Sequence, residues 1–377
     1  MRGSASKPPW DPVQPRTLRN TPFPEVPGQR LSMSLWQGGH RPTRSSRAVI
    51  QQRGNDVILL SKGLLSVALA SLLVAGPALA TEGIAPAGPI GGTDLNQALL
   101  PPPGIYPGLV GGGINLRDYH LGGGADLPAS GNVGFGALGA LVVYPKMVLG
   151  GQVGSSIGVG YQRVCFGVEP APESCSEGAM DTYTDLFLWS RFSPSEAFST
   201  QPKTGIPIPY GTAFMAGVGV TWPTGEYSAT SPVNVGSNFY TISPSVAITY
   251  TAPSFFTAAP GHATQLSARL FYNYYTENSD TNYDTGDTVS IDFSASEIAG
   301  PWQFGVTGTG WVQISDDTVD GVSNGVRASA LNVGPIAQYG FQLGGSPAFI
   351  KAKYLWMVGG EYIPQSDGLT VSMGISF

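Results

Sequence analysis

The C-terminal stretch of this chain alternates without a break. Leu369, Val371, Met373, Ile375 and Phe377 fall on one face of an extended backbone, and Thr370, Ser372, Gly374 and Ser376 fall on the other. Successive side chains of a strand point to opposite sides, so the pattern predicts a β-strand with one wholly apolar face. The same period recurs upstream. Trp302, Phe304, Val306, Val312 and Ile314 oppose Gln303, Thr307, Thr309 and Gln313, while Tyr240, Ile242, Val246, Ile248 and Tyr250 oppose Thr241, Ser243, Ser245 and Thr249. Leu266, Ala268, Leu270, Tyr272 and Tyr274 oppose Gln265, Ser267, Arg269, Asn273 and Glu277. Val289, Ile291 and Phe293 oppose Ser290, Asp292 and Ser294, and Ile350, Ala352, Tyr354 and Trp356 oppose Lys351 and Lys353. In each run the charges share the polar face.

A soluble sandwich can carry an amphipathic strand of this kind, but the composition points elsewhere. Only 12% of the residues are charged, too few for an ordinary globular surface, and the 52 glycines follow no triplet period. With 42% apolar residues the chain is not a disordered one either. A surface with so little charge needs a cover other than water. Alternating runs start near Ile105, Asn132, Val148, Asp181, Ile208, Asn238, Thr264, Asp287, Trp302, Val326, Ala348 and Leu369. The predicted fold is therefore all-β: a transmembrane antiparallel β-barrel of about 12 strands, range 10–14, over residues 105–377. Segments 169–181, 223–236, 278–287 and 316–325 are long and rich in Asp, Asn, Thr and Gly, as outer loops are. Turns such as Pro145-Lys146 suit the periplasmic side.

The N-terminal part has a different character. Residues 1–80 hold ten Lys/Arg against Asp11, Glu25 and Asp56, which leaves nine against 22 acidic residues in the remainder. The stretch VILLSKGLLSVALASLLVAGPALA at 57–80 places Lys62 before an apolar core, then Gly76-Pro77 and the small residues Ala78 and Ala80. That order is a secretory signal peptide with cleavage after Ala80. The alternative, a membrane anchor, is disfavoured because the apolar run is shorter than the roughly 20 residues a spanning helix needs. Residues 1–56 are expected to be a non-structural extension or a misassigned start, with Val57 a candidate initiator. Residues 81–104, rich in Pro and Gly, cannot pair as a strand and lack the charge of a solvated tail, so they are expected to enter the lumen as a plug. The acidic mature chain argues against nucleic acid as a partner.

An Arg or Lys on the lipid side at mid-bilayer costs roughly 2–4 kcal/mol, so alternation assigns Arg269, Glu277, Asp292, Arg327, Lys351 and Lys353 to the lumen, with Trp311 beside them. Cys165 and Cys175 enclose VEPAPES in one presumed loop. In an oxidising compartment they are a disulfide candidate, with two reduced thiols the alternative. Catalytic and metal constellations are not found: His120 and His262 are the histidines after residue 80, no His-Glu-x-x-His occurs, and Asp316-Asp317 reads better as a solvated turn than as a calcium ligand pair. No enzyme activity, cofactor or metal is expected.

Five stretches carry a resemblance: PPPGIY at 101–106, WPTGEY at 222–227, YYTENSDTNYDTGD at 274–287, GVTGTGWVQISDD at 305–317 and NVGP at 332–335. In this order and spacing the chain resembles the outer-membrane family named for the meta-pathway of phenol degradation. The glycine-rich segment 109–124 and the cysteine pair depart from its pattern. The resemblance implies a porin-like transporter in the outer membrane of a Gram-negative bacterium, passing small hydrophobic or aromatic molecules. The alternative is a closed barrel with a structural or partner-binding role through acidic outer loops. Outer-membrane lipid, a small-molecule solute and the barrel-assembly machinery are the expected partners, the last because Phe377 ends an alternating strand as assembly signals do. N-terminal sequencing of protein extracted from outer membranes is expected to begin at Thr81; a chain still carrying residues 57–80 would exclude cleavage.

Overall fold

The computed structural model describes residues 82, 85–196, 210–259 and 261–376. Phe377, Ala78 and Ala80, with the 1–56 extension and the 57–80 segment, lie outside them. Among the described residues every regular element is a strand: β1 (Gly104–His120), β2 (Asp126–Val143), β3 (Gln152–Val168), β4 (Ser174–Ala179), β5 (Thr182–Pro194), β6 (Gly211–Trp222), β7 (Thr241–Pro253) and β8 (His262–Tyr275) in the first half. The second half holds β9 (Tyr283–Asp284), β10 (Thr288–Ala299), β11 (Trp302–Gln313), β12 (Thr318–Val319), β13 (Val322–Ser323), β14 (Ser329–Leu343), β15 (Ser346–Glu361) and β16 (Ile363–Ile375).

Twelve of these form one closed antiparallel wall. Each long strand pairs with its sequence neighbours, and β1 returns to β16 along a register from Gly108↔Gly374 to His120↔Ile363. Closure leaves no edge, so the backbone amides of the wall can find partners inside the protein, which a lipid environment requires. The strands are 12–18 residues long, more than the roughly 9–11 that cross a hydrocarbon core, and they project beyond it.

The burial pattern is inside out. On β7, Ser245 is 6% exposed and its neighbour Val246 is 56% exposed, and the alternation continues through Ile248 and Thr249. Leu270, Ile291, Val306, Ile350 and Val371 face outward, whereas Gln265, Ser267, Ser290, Ser294 and Thr307 are buried within. Outward aromatics gather at both ends: Trp222, Tyr240 and Tyr274 toward the long loops, and Trp302, Phe304 and Tyr144 toward the short turns. These are the interfacial girdles of a membrane barrel.

Besides register shifts at Arg117/Tyr119, Gly154/Ser156, Asp185/Phe187 and Leu331/Asn332, two local features stand out. Between Val333↔Trp356 and Ile336↔Lys353 the β14–β15 ladder lapses at Gly334 and Pro335. Pro335 has no N–H to give, and a Cβ on Gly334 would stand 1.8 Å from the Tyr354 carbonyl, so the NVGP sequence is the chain's means of letting two strands approach here. The cysteine segment is a hairpin rather than a plain loop: Cys165 in β3 lies opposite Cys175 in β4, and the two are disulfide-bonded.

Leu270→Arg is expected to destabilise the folded barrel by about 2–4 kcal/mol in urea titrations carried out in phospholipid vesicles. Glu277→Arg, outside the strands, is expected to change little. A Leu270→Arg protein as stable as the parent would remove Leu270 from the lipid face.

Candidate functional site: the barrel lumen and its outer mouth

The inner wall is built by the polar half of each alternating strand, and Glu82 and residues 85–103 lie against it. Near the long loops, Glu82 accepts hydrogen bonds from Tyr227 (3.0 Å), Thr281 (2.7 Å) and Asn278 (2.9 Å). Further along, the Gly91 and Thr93 amides donate to Asp292 of β10, each at 2.9 Å, and the Thr93 hydroxyl adds a third bond at 2.7 Å. The Gln97 amide donates to Ser267 and the Ala98 amide to Thr249, both at 3.0 Å. At the turn end, Gln152 donates to the Pro101 carbonyl (3.3 Å). The segment thus passes inside the wall from the long-loop end to the turn end, and it joins no strand.

Its one buried carboxylate meets the lysines of β15. Asp94 accepts from Lys351 at 2.7 Å and from Lys353 at 2.6 Å, and Lys353 also donates to the Gly91 carbonyl. Lys351 and Lys353 share a face because they stand two apart on a strand. A second buried pair joins Arg269 of β8 to Asp185 of β5 at 2.9 Å, with Ser245 accepting from the same guanidinium. Arg269 also lies over the Phe271 ring, 4.5 Å from its centre. Water is scarce at these positions, and each charge is held by an opposite one, as burial demands.

The lumen candidates thus divide. Arg269, Asp292, Lys351 and Lys353 are inside and engaged, and Trp311 is buried with Ala328, Ala330, Met357 and Ile363, with Ile90 against them. Glu277 is exposed beyond Tyr275, where β8 ends. Arg327 is exposed ahead of Ser329, where β14 begins, and pairs with Asp316 at 2.6 Å. Alternation counted past a strand's end has no physical basis, so it does not assign these two a side. Asp316 is held below the usual carboxylate range by its bond from Arg327, whereas burial pushes Asp317 up while Tyr283, Gly286 and Gln313 bond it. These carboxylates are spent on the loop sheet of β9, β12 and β13. Among the described residues no group of acidic, His or Cys side chains could hold a metal ion.

Above the segment, the loop between β6 and β7 folds inward. Val233 is buried among Leu116, Tyr119, Val133, Val164 and Phe166 of β1–β3, with Val235 beside it. Between this loop and Glu82 with residues 85–88 lies a cavity of about 690 Å³, within the roughly 300–1,000 Å³ of small-molecule sites.

Over residues 119–373 the chain matches the model of the family described as "Putative MetA-pathway of phenol degradation". The chain belongs to this family. Its fold is similar to that of an outer membrane channel from Pseudomonas putida F1, at 16% identity and a TM-score of 0.61, covering 76% of this chain and 99% of that one. The transport unit of the autotransporter AIDA-I from Escherichia coli aligns at 10% identity and a TM-score of 0.42, covering 76% and 92%. No curated protein matches the chain. As a member of this family with a closed, lipid-faced wall, the protein is an outer-membrane β-barrel.

Three residues of the site escaped sequence reasoning: Glu82, Asp94 and Asp185. Asp185 precedes a register shift between Asp185 and Phe187, which breaks the alternation that would have turned it inward. Asp367 shares the outward parity of Leu369 but lies near the outer end, where it bonds Arg117 and Tyr354.

Asp94→Ala leaves two lysines facing each other without their counter-charge; breaking a buried pair costs about 3–5 kcal/mol. The segment is therefore expected to leave the wall more readily, seen as faster cleavage of residues 82–103 by protease added to purified barrels. Unchanged cleavage would show that Asp94 does not hold it.

Proposed function

We propose that this protein is a passive outer-membrane channel for small hydrophobic or aromatic molecules, and that residues 81–104 are its plug. The observation that carries the reading is how the lumen is filled. Residues 88–101 are held by hydrogen bonds from their own amides to wall side chains and by the ion pairs of Asp94, not by a ladder, so they can withdraw without opening the twelve-stranded wall. The wall beneath offers serine, threonine, glutamine and asparagine groups, which bind a solute weakly and at many points, as conduction requires. The mouth above offers a cavity with apolar and aromatic sides. An outer membrane channel with the same barrel fold supports the assignment, and the family's description agrees with an aromatic solute. A passive route needs no nucleophile, base or cofactor.

The test is conductance in planar bilayers, comparing the mature chain with one lacking residues 81–103. The deletion is expected to raise single-channel conductance several-fold. If neither form conducts, the channel reading fails and a closed, partner-binding barrel takes its place. Equal conductance in both forms would overturn the plug.

A further inference from the structure

The outer cavity has a charge pattern that the channel reading alone does not use. Its sides are apolar and aromatic, with Ile114, Val133, Met180, Phe239 and Val235 among them. Two carboxylates line it, Glu82 from the N-terminal segment and Asp181 from the turn before β5. Both are held by neutral donors alone: Glu82 by Tyr227, Thr281 and Asn278, and Asp181 by the amides of Gly225 and Ser237, each at 2.8 Å, and by the Ser237 hydroxyl. Neither takes part in an ion pair among the described residues, and no Lys, Arg or His lines the cavity. The cations of the lumen lie deeper and are already engaged, Arg269 by Asp185 and both lysines by the single carboxylate of Asp94.

A second observation points to a ligand. Thr221 and Thr285 also line the cavity; they are 6% and 3% exposed, and the hydroxyl of each lacks a hydrogen-bond partner. A buried hydroxyl left unpaired costs free energy, and a bound polar group would relieve it. Donors in neutral amides and hydroxyls stabilise a carboxylate without cancelling its charge, so the field inside the cavity stays negative.

We infer that this cavity is a capture site for uncharged and cationic aromatic amphiphiles, and that Glu82 and Asp181 exclude aromatic anions from it. The inference rests on the channel reading for its biological sense, but it concerns binding and is tested by binding. Glu82 has a double place in it. It belongs to the segment proposed as the plug, so a solute in the cavity touches the segment whose withdrawal opens the lumen.

The experiment uses the mature protein in phosphatidylcholine nanodiscs, with protein-free discs subtracting partition into lipid. Three radiolabelled probes of similar shape, benzyltrimethylammonium, benzyl alcohol and benzoate, are compared by equilibrium dialysis at neutral pH. Benzoate is expected to bind at least about tenfold more weakly than the cation, with the alcohol between them. Glu82→Gln with Asp181→Asn is expected to erase the order, and Glu82→Lys, a change in a segment outside the wall, to favour benzoate. Equal binding of all three probes by the parent protein, no binding of any, or an order that survives both sets of changes would overturn the site. Ordered binding in a protein that does not conduct would remove the channel and keep the site; conductance without ordered binding would do the reverse.

Discussion

Closure of the strand ladder is the constraint on which the rest of this structure depends. In hydrocarbon an unpaired amide or carbonyl finds no water, so a spanning sheet must have no edge. The pairing of β1 with β16 meets that requirement. Once the sheet is closed, alternation has a single consequence for each side chain. Leu270 and Val246 meet lipid, and Ser245 and Ser267 meet the interior. The irregularities are local solutions within the same closed wall: at Gly334 and Pro335, β14 and β15 come together without regular bonding.

A wall with polar groups inside creates a second problem, because those groups also need partners. Segment 82–103 supplies them. Its amides donate to Asp292, Ser267 and Thr249, and its Asp94 offsets the charges of Lys351 and Lys353. Where the segment does not reach, the wall serves itself, as in the bridge from Arg269 to Asp185. The buried charges are thus each engaged, by an opposite charge or by neutral donors, and the contacts that seat the segment run to side chains of the wall and can be exchanged for water or solute.

The outer end follows different rules, since it stands clear of the lipid. Long loops can fold back there, and the β6–β7 loop does so through Val233. The disulfide between β3 and β4 ties down the hairpin beside it, and the small sheet of β9, β12 and β13 gathers Asp317 under Tyr283. These elements leave a chamber whose apolar sides and uncompensated carboxylates contrast with the matched charges below.

The period-two pattern, with the sparse charge, specified a barrel of about 12 strands and the inward and outward faces of its regular stretches, because alternation is a local property that a lipid-exposed wall leaves little freedom to violate. It placed Arg269, Asp292, Lys351 and Lys353 inside for the same reason. It did not reach Glu277 and Arg327, which lie just past strand ends, nor Asp185, beside a register shift, where the period loses its meaning. What those inward groups touch was settled only by the tertiary structure. Asp94 and Lys351 are separated by 257 positions in the chain, and the inward fold of Val233 depends on an apolar patch made by three other strands. Periodicity records which side of a strand a residue takes; the partner on that side is set by the closing of the ring, which brings distant parts of the chain to one axis.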